Sequence, residues 1–161
     1  MNMKERDHPI DQMLQCHKEI LEQTERVERA LDRFSGGGSA EDMILTLDVF
    51  LLFMKTTLKL HKMDEENALF PCIRRSGYAG EAVETLLRDH EELDSLEDFL
   101  ALITEMKSVE PSKLEEKLRH AVEDLKKHIE HEETVIYAFA RDNLSAEDLR
   151  EVGRQMKALR E

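Results

Sequence analysis

Cysteine is scarce in this chain: Cys16 and Cys72 are the two present, and they form no CxxC pair. That is too few for a disulfide framework, fits a reducing compartment, and leaves no thiolate cluster for a structural zinc ion. A basic excess is missing as well, since 36 acidic residues stand against 23 basic ones. A phosphate backbone or an anionic membrane surface needs a basic patch, so neither nucleic acid nor membrane is an expected partner. No apolar run approaches membrane-spanning length, and residues 1–7 are charged with no apolar stretch after them. Neither a spanning helix nor a secretory leader is therefore expected, and the chain reads as a soluble cytoplasmic protein. Alternating runs rich in β-branched residues, the mark of strands, do not occur. Gly36-Gly37-Gly38 lacks the Lys-Ser/Thr of a phosphate loop and reads as a linker, and no nucleophile triad is present.

What the chain does have is helix after helix. At 161 residues, 40% apolar and 37% charged, it is expected to form a single domain over residues 1–161. From Pro9, a plausible first helical position, Ile10, Met13, His17, Ile20, Thr24, Val27 and Leu31 trace one face until the glycine run. Ser39, with Asp42 three positions on, caps a second helix. Its stripe is Ile44, Leu47, Leu51, Met54, Leu58, His61, Glu65 and Ala68, and Pro71 is expected to end it, because proline disfavours helix in the residue before it. Beyond the break at Ser76-Gly77-Tyr78-Ala79-Gly80, a third helix carries Val83, Leu86, His90, Leu93, Leu96 and Leu100. Pro111 opens a fourth, striped by Leu114, Leu118, Ala121, Leu125, His128, Glu132, Val135 and Phe139, and Ser145 with Asp148 caps a short fifth. Short connections make successive helices antiparallel. The expected fold is all-α, an up-down-up-down antiparallel four-helix bundle over about residues 8–142 with a short extra C-terminal helix over about 145–161.

Each of the four long stripes is interrupted by one histidine, and in the second and fourth a glutamate follows it by four residues: His17, then His61 and Glu65; His90, then His128 and Glu132. Residues four apart on a helix share a face, so each pair aims an imidazole and a carboxylate at one point. An unpaired carboxylate in an apolar seam costs several kcal/mol or is forced to protonate. Two metal ions would compensate both glutamates, and imidazole with carboxylate suits first-row transition metals, iron in particular. A lone histidine in an apolar stripe is more often a hydrogen-bonded core residue, but four at matched depth in two similar halves point to a site. Asp64 reads as a solvated acid beside the stripe, Glu66 and Glu133 are open between that reading and a place at the site, His131 reads as exposed or indirect, and His8 and His120 as too far along their helices. The charged stretches 89–97 and 113–127 read as solvated faces.

The order His, His-x3-Glu, His, His-x3-Glu, with Glu-Glu-Asn-Ala-Leu-Phe-Pro over 65–71 and Glu-Glu-Thr-Val-Ile-Tyr over 132–137, resembles the hemerythrin-like HHE cation-binding domains across about residues 8 to 142. The resemblance implies a non-haem di-iron centre of two iron ions, with His17, His61, His90 and His128 as terminal ligands and Glu65 and Glu132 as bridges. Oxygen-carrying members bear two histidines four apart on the third helix and place the last carboxylate five after its histidine. Here Asp94 stands four after His90, and Glu132 and Glu133 both follow His128. The ligand set looks more like that of the domains in iron-sensing and iron-sulfur-repair proteins, which implies sensing rather than oxygen carriage. Asp94 is expected to offer a carboxylate where the carriers have a fifth imidazole.

The preferred reading is a metal-binding protein whose site binds or senses O2, NO, peroxide or iron, rather than an enzyme. The alternatives are a di-iron redox enzyme or an iron-sulfur-repair-like iron donor, and a structural helical protein whose histidines bind metal weakly or not at all. A hydroxyl or thiol beside an iron position would favour the enzyme. Tyr137 and Cys16 are the nearby candidates, and neither sits clearly on the ligand stripe.

Overall fold

The computed structural model describes residues 8–77, 80–106 and 110–161. The charged start over 1–7, and Tyr78 and Ala79 of the expected break, lie outside the described residues. Among the described residues the chain is helical and contains no strand.

Helix α1 (Pro9–Ser35) is capped by His8, whose ring nitrogen accepts from the Ile10 N–H at 3.2 Å, with Pro9 in the first turn where a missing N–H costs nothing. Its exit is a close turn rather than a loose linker. Gly37 takes a φ of 97°, and a Cβ on Gly38 would stand 2.7 Å from the Arg33 carbonyl oxygen, so both positions require glycine. Helix α2 (Ala40–Phe53) starts at Ser39, whose hydroxyl accepts from the Asp42 N–H at 3.2 Å. It runs on through a wide π turn at Met54–Leu58, α3 (Lys59–Asp64), a second π turn at Glu65–Leu69, and α4 (Phe70–Arg75).

Pro71 does not end this rod. The turn before it already bonds five residues back, with the Phe70 N–H on the Glu65 carbonyl. The ring therefore arrives where the regular i→i−4 ladder has given way, and helix resumes around it. Helices α5 (Glu81–Met106) and α6 (Pro111–His131) follow, and α6 continues through a π turn at Glu132–Tyr137 into α7 (Ala138–Asn143). The last helix, α8 (Ala146–Ala158), begins in a capping box between Ser145 and Asp148.

Helix α1 packs on α2 and α6, α5 packs on the same two, and α8 lies against α1 and the Glu65–Leu69 turn. Two apolar clusters result. One joins Ile20, Val27, Leu58, Leu93 and Leu125 with their neighbours; the other joins Ile10, Met13, Ala68, Leu86 and Ile136 with the inner face of α8. Burying one such aliphatic side chain contributes about 1.5–3 kcal/mol, so the clusters together can hold a polar layer between them. Each long rod crosses from one cluster to the other and successive rods do so in opposite senses, passing His17, His61, His90 or His128 at the crossing. Among the described residues no helix is long and apolar enough to cross a membrane.

Candidate metal centre

The layer between the clusters holds His17, His61, Glu65, His90, His128 and Glu132, all buried. They form two groups that share both glutamates: His17, His61, Glu65 and Glu132, then Glu65, His90, His128 and Glu132. Within each group one donor atom per residue lies within 4.8 Å of every other. The helical i, i+4 step brings His61 Nε2 to 3.3 Å from Glu65 Oε1, and sets His128 Nε2 directly against Glu132 Oε1. Each glutamate also reaches across to the other half, Glu65 Oε1 lying 3.4 Å from His90 Nε2 and Glu132 Oε1 3.9 Å from His17 Nε2.

The histidines are oriented from behind. Nδ1 of His17 donates to Glu133 Oε1 at 3.3 Å, Nδ1 of His90 to Glu66 Oε1 at 3.0 Å, and Nδ1 of His128 to Asp89 Oδ2 at 2.9 Å. A carboxylate on one ring nitrogen fixes the tautomer and presents the lone pair of the other to the centre, the arrangement that metal-binding imidazoles use. Glu66 and Glu133, each next to a central glutamate in sequence, thus cross over to hold the opposite half's histidine and are not merely solvated. Asp89 belongs to the same set and not to a solvated charge run. Its signal in the sequence is its place directly before His90. The corresponding residue before His17 is Cys16, and His61 Nδ1 makes no hydrogen bond.

Glu65 Oε1, Glu132 Oε1 and His90 Nε2 are likewise buried and make no hydrogen bond, although all three face the centre. Orphaned buried polar atoms are costly, and several converging on one point fit a cation held there. In the metal-free protein a proton does part of this work. Burial opposes a charge on His61, but the adjoining Glu65 carboxylate and the nearby Cys16 together outweigh it and raise the histidine to about 10. Burial, and then repulsion from His61, drive His17 down to about 3. Burial alone would push Glu65 up, yet the charge of His61 holds it well below the usual carboxylate range. His61 Nε2 accordingly donates to His17 Nε2 at 3.1 Å.

These shifts give the metal-free protein a pH signature. His61 binds its proton more tightly folded than unfolded, so its contribution is complete below its ordinary value of 6.5 and is lost as pH rises toward 10. His17 binds its proton less tightly folded, so its contribution is complete above 6.5 and is lost as pH falls toward 3. The melting temperature of chelated protein should therefore peak near pH 6.5 and fall on both sides. Thermal melts between about pH 4 and about pH 10 check this, and a steady climb through the alkaline half would contradict the His61–Glu65 pairing.

Three further sequence expectations are corrected. Asp64 is 3% exposed, not solvated, and forms a two-pronged pair with Arg160, both bonds at 2.8 Å. Asp94 is an exposed partner of Lys62 and offers nothing to the centre. As expected, His120 and His131 stay out of the centre, lining a cleft between α5 and α6 that reaches His128. Tyr137 lies inside the centre. Its hydroxyl donates to Glu65 Oε2 at 2.9 Å, and its ring stacks on His17 at 5.0 Å between centroids. The π turn explains why regular spacing misses it, because bonding five residues back swings Tyr137 onto the face of Glu132.

Comparison with known proteins bears on the same residues. The family model for the hemerythrin HHE cation binding domain matches residues 8–159, nearly the whole chain. No curated protein and no solved structure gives a match. The chain, with two His/Glu groups between its apolar clusters, belongs to the hemerythrin HHE cation-binding domain family.

Proposed function

We propose that this protein holds a non-haem di-iron centre and uses it to bind or sense a small oxidant such as O2, NO or peroxide, or iron itself. In this reading His17 and His61 hold one ion, His90 and His128 the other, and Glu65 and Glu132 bridge them. The observation that supports it most is the sharing: each glutamate oxygen faces a histidine of both groups. Imidazole with carboxylate is a donor set that iron accepts readily. When bound, an iron pair supplies electrons and coordination positions for a small oxidant. The chain's own residues do the rest. Glu133, Glu66 and Asp89 hold three imidazoles in register, and the apolar clusters close the layer at both ends.

The same reading takes the long rods as an up-down-up-down four-helix bundle with α8 added, one domain over residues 1–161, working in the cytoplasm. Oxygen carriage is disfavoured because residue 94, where the carriers of this family have a further histidine, is an exposed aspartate. Reduced, iron-loaded protein should consume O2 and not return it under vacuum, as read by an oxygen electrode and absorption spectra. Quantitative release of O2 would make it a carrier. The second reading, a redox enzyme acting on peroxide or nitric oxide, is favoured by the Tyr137 hydroxyl, a proton donor within the centre. Repeated turnover of either substrate separates it from a binding protein.

A further inference from the structure

The two halves of the centre differ at one pair of positions. Five residues after Glu132 stands Tyr137, and five after Glu65 stands Phe70. The π turns that begin at the two glutamates bring both rings inward, Tyr137 stacking on His17 and Phe70 on His90 at 6.0 Å between centroids. Only one of them brings an oxygen. The geometry points to Tyr137 as a further metal ligand, its phenol oxygen coordinating the ion held by His17 and His61. This inference rests on the di-iron reading above.

The Tyr137 oxygen lies 2.9 Å from Glu65 Oε2, 3.1 Å from His17 Nε2 and 3.5 Å from Glu132 Oε2. Those three neighbours are all acceptors once His17 is neutral, and the phenol has one proton to give. Two donors each about 2.1 Å from one ion and at right angles to each other lie about 3 Å apart. The His17 Nε2 to His61 Nε2 separation, 3.1 Å, has that value, and so does the separation from His17 Nε2 to the Tyr137 oxygen. The phenol oxygen therefore occupies a corner beside the imidazoles instead of a place behind them. Coordination exchanges the O–H bond for an oxygen–metal bond and releases the proton to solvent, with no electron transferred, as binding at a protonated ligand requires. Phe70 offers the His90–His128 ion no such oxygen. The pair of ions is thus unequal, and a small exogenous ligand is directed to the second of them.

The test loads metal-free protein with ferrous iron, oxidises it in air, and records iron content beside absorption and resonance Raman spectra. The expected result is a visible phenolate-to-ferric charge-transfer band carrying enhanced tyrosine ring vibrations. Tyr137→Phe should abolish it, and Tyr78→Phe, at the chain's other tyrosine, should leave it intact. Ring-deuterated tyrosine should shift the vibrations in unmutated protein, which keeps the test decisive even if Tyr137→Phe folds poorly. Bound iron without a phenolate signature, or with one that survives Tyr137→Phe, overturns the inference and leaves the di-iron reading standing. Failure to bind iron at all overturns both.

Discussion

Glu65→Ala and Glu132→Ala should each strip the protein of more than half of its metal. Each carboxylate belongs to both groups of donors, so deleting one removes an oxygen from both candidate metal positions at once. It also removes the negative charge that most directly offsets the ions in a buried layer where both glutamates are fully enclosed. His17→Ala is the informative comparison. His17 belongs to one group alone, so its loss should weaken one position and leave the other occupied. Metal analysis of the dialysed variants reads the difference directly. If both glutamate variants keep their full metal content, the bridging role is removed. If they lose no more than His17→Ala does, the sharing of carboxylates between positions is removed.

Removing the metal from the unmutated protein should lower its melting temperature by about 10 °C or more. A ligand present at about 1,000 times its dissociation constant stabilises the folded state by about 4 kcal/mol, and two sites double that. For a chain of this size one kcal/mol shifts the midpoint by about 2–4 °C. The His61 proton compensates Glu65 in part when the metal is gone, so the observed loss should fall below that simple product. Differential scanning of chelated and reconstituted samples at one pH checks this. Unchanged midpoints after verified chelation would favour a structural role for the histidines.

The helices and the six central residues could be read from the sequence because both signals are periodic. Ser39 and the Ser145–Asp148 box mark helix starts with side chains that must satisfy free N–H groups. His17, His61, His90 and His128 stand where an apolar stripe is broken at matched depth, and the structure brings them together with Glu65 and Glu132. Three other features were not legible, each for a physical reason. The π turns at Glu65–Leu69 and Glu132–Tyr137 depart from the period on which the reading depends, which hid Tyr137 and carried helix past Pro71. Asp89 and Arg160 act across large sequence separations, on His128 and Asp64, and the place of Asp89 directly before His90 is the one local mark either carries. Asp94 was misplaced because a position one turn from His90 says nothing of the Lys62 ammonium that draws it to the surface.

Titration of metal-free protein with ferrous iron decides whether the shared carboxylates build a site for two metal ions. Binding followed anaerobically, by calorimetry and by metal content after gel filtration, should reach equivalence at two ions per chain, with a proton released to solvent as the metal displaces it from His61. Equivalence at one ion, or no saturable binding, would contradict a two-ion site.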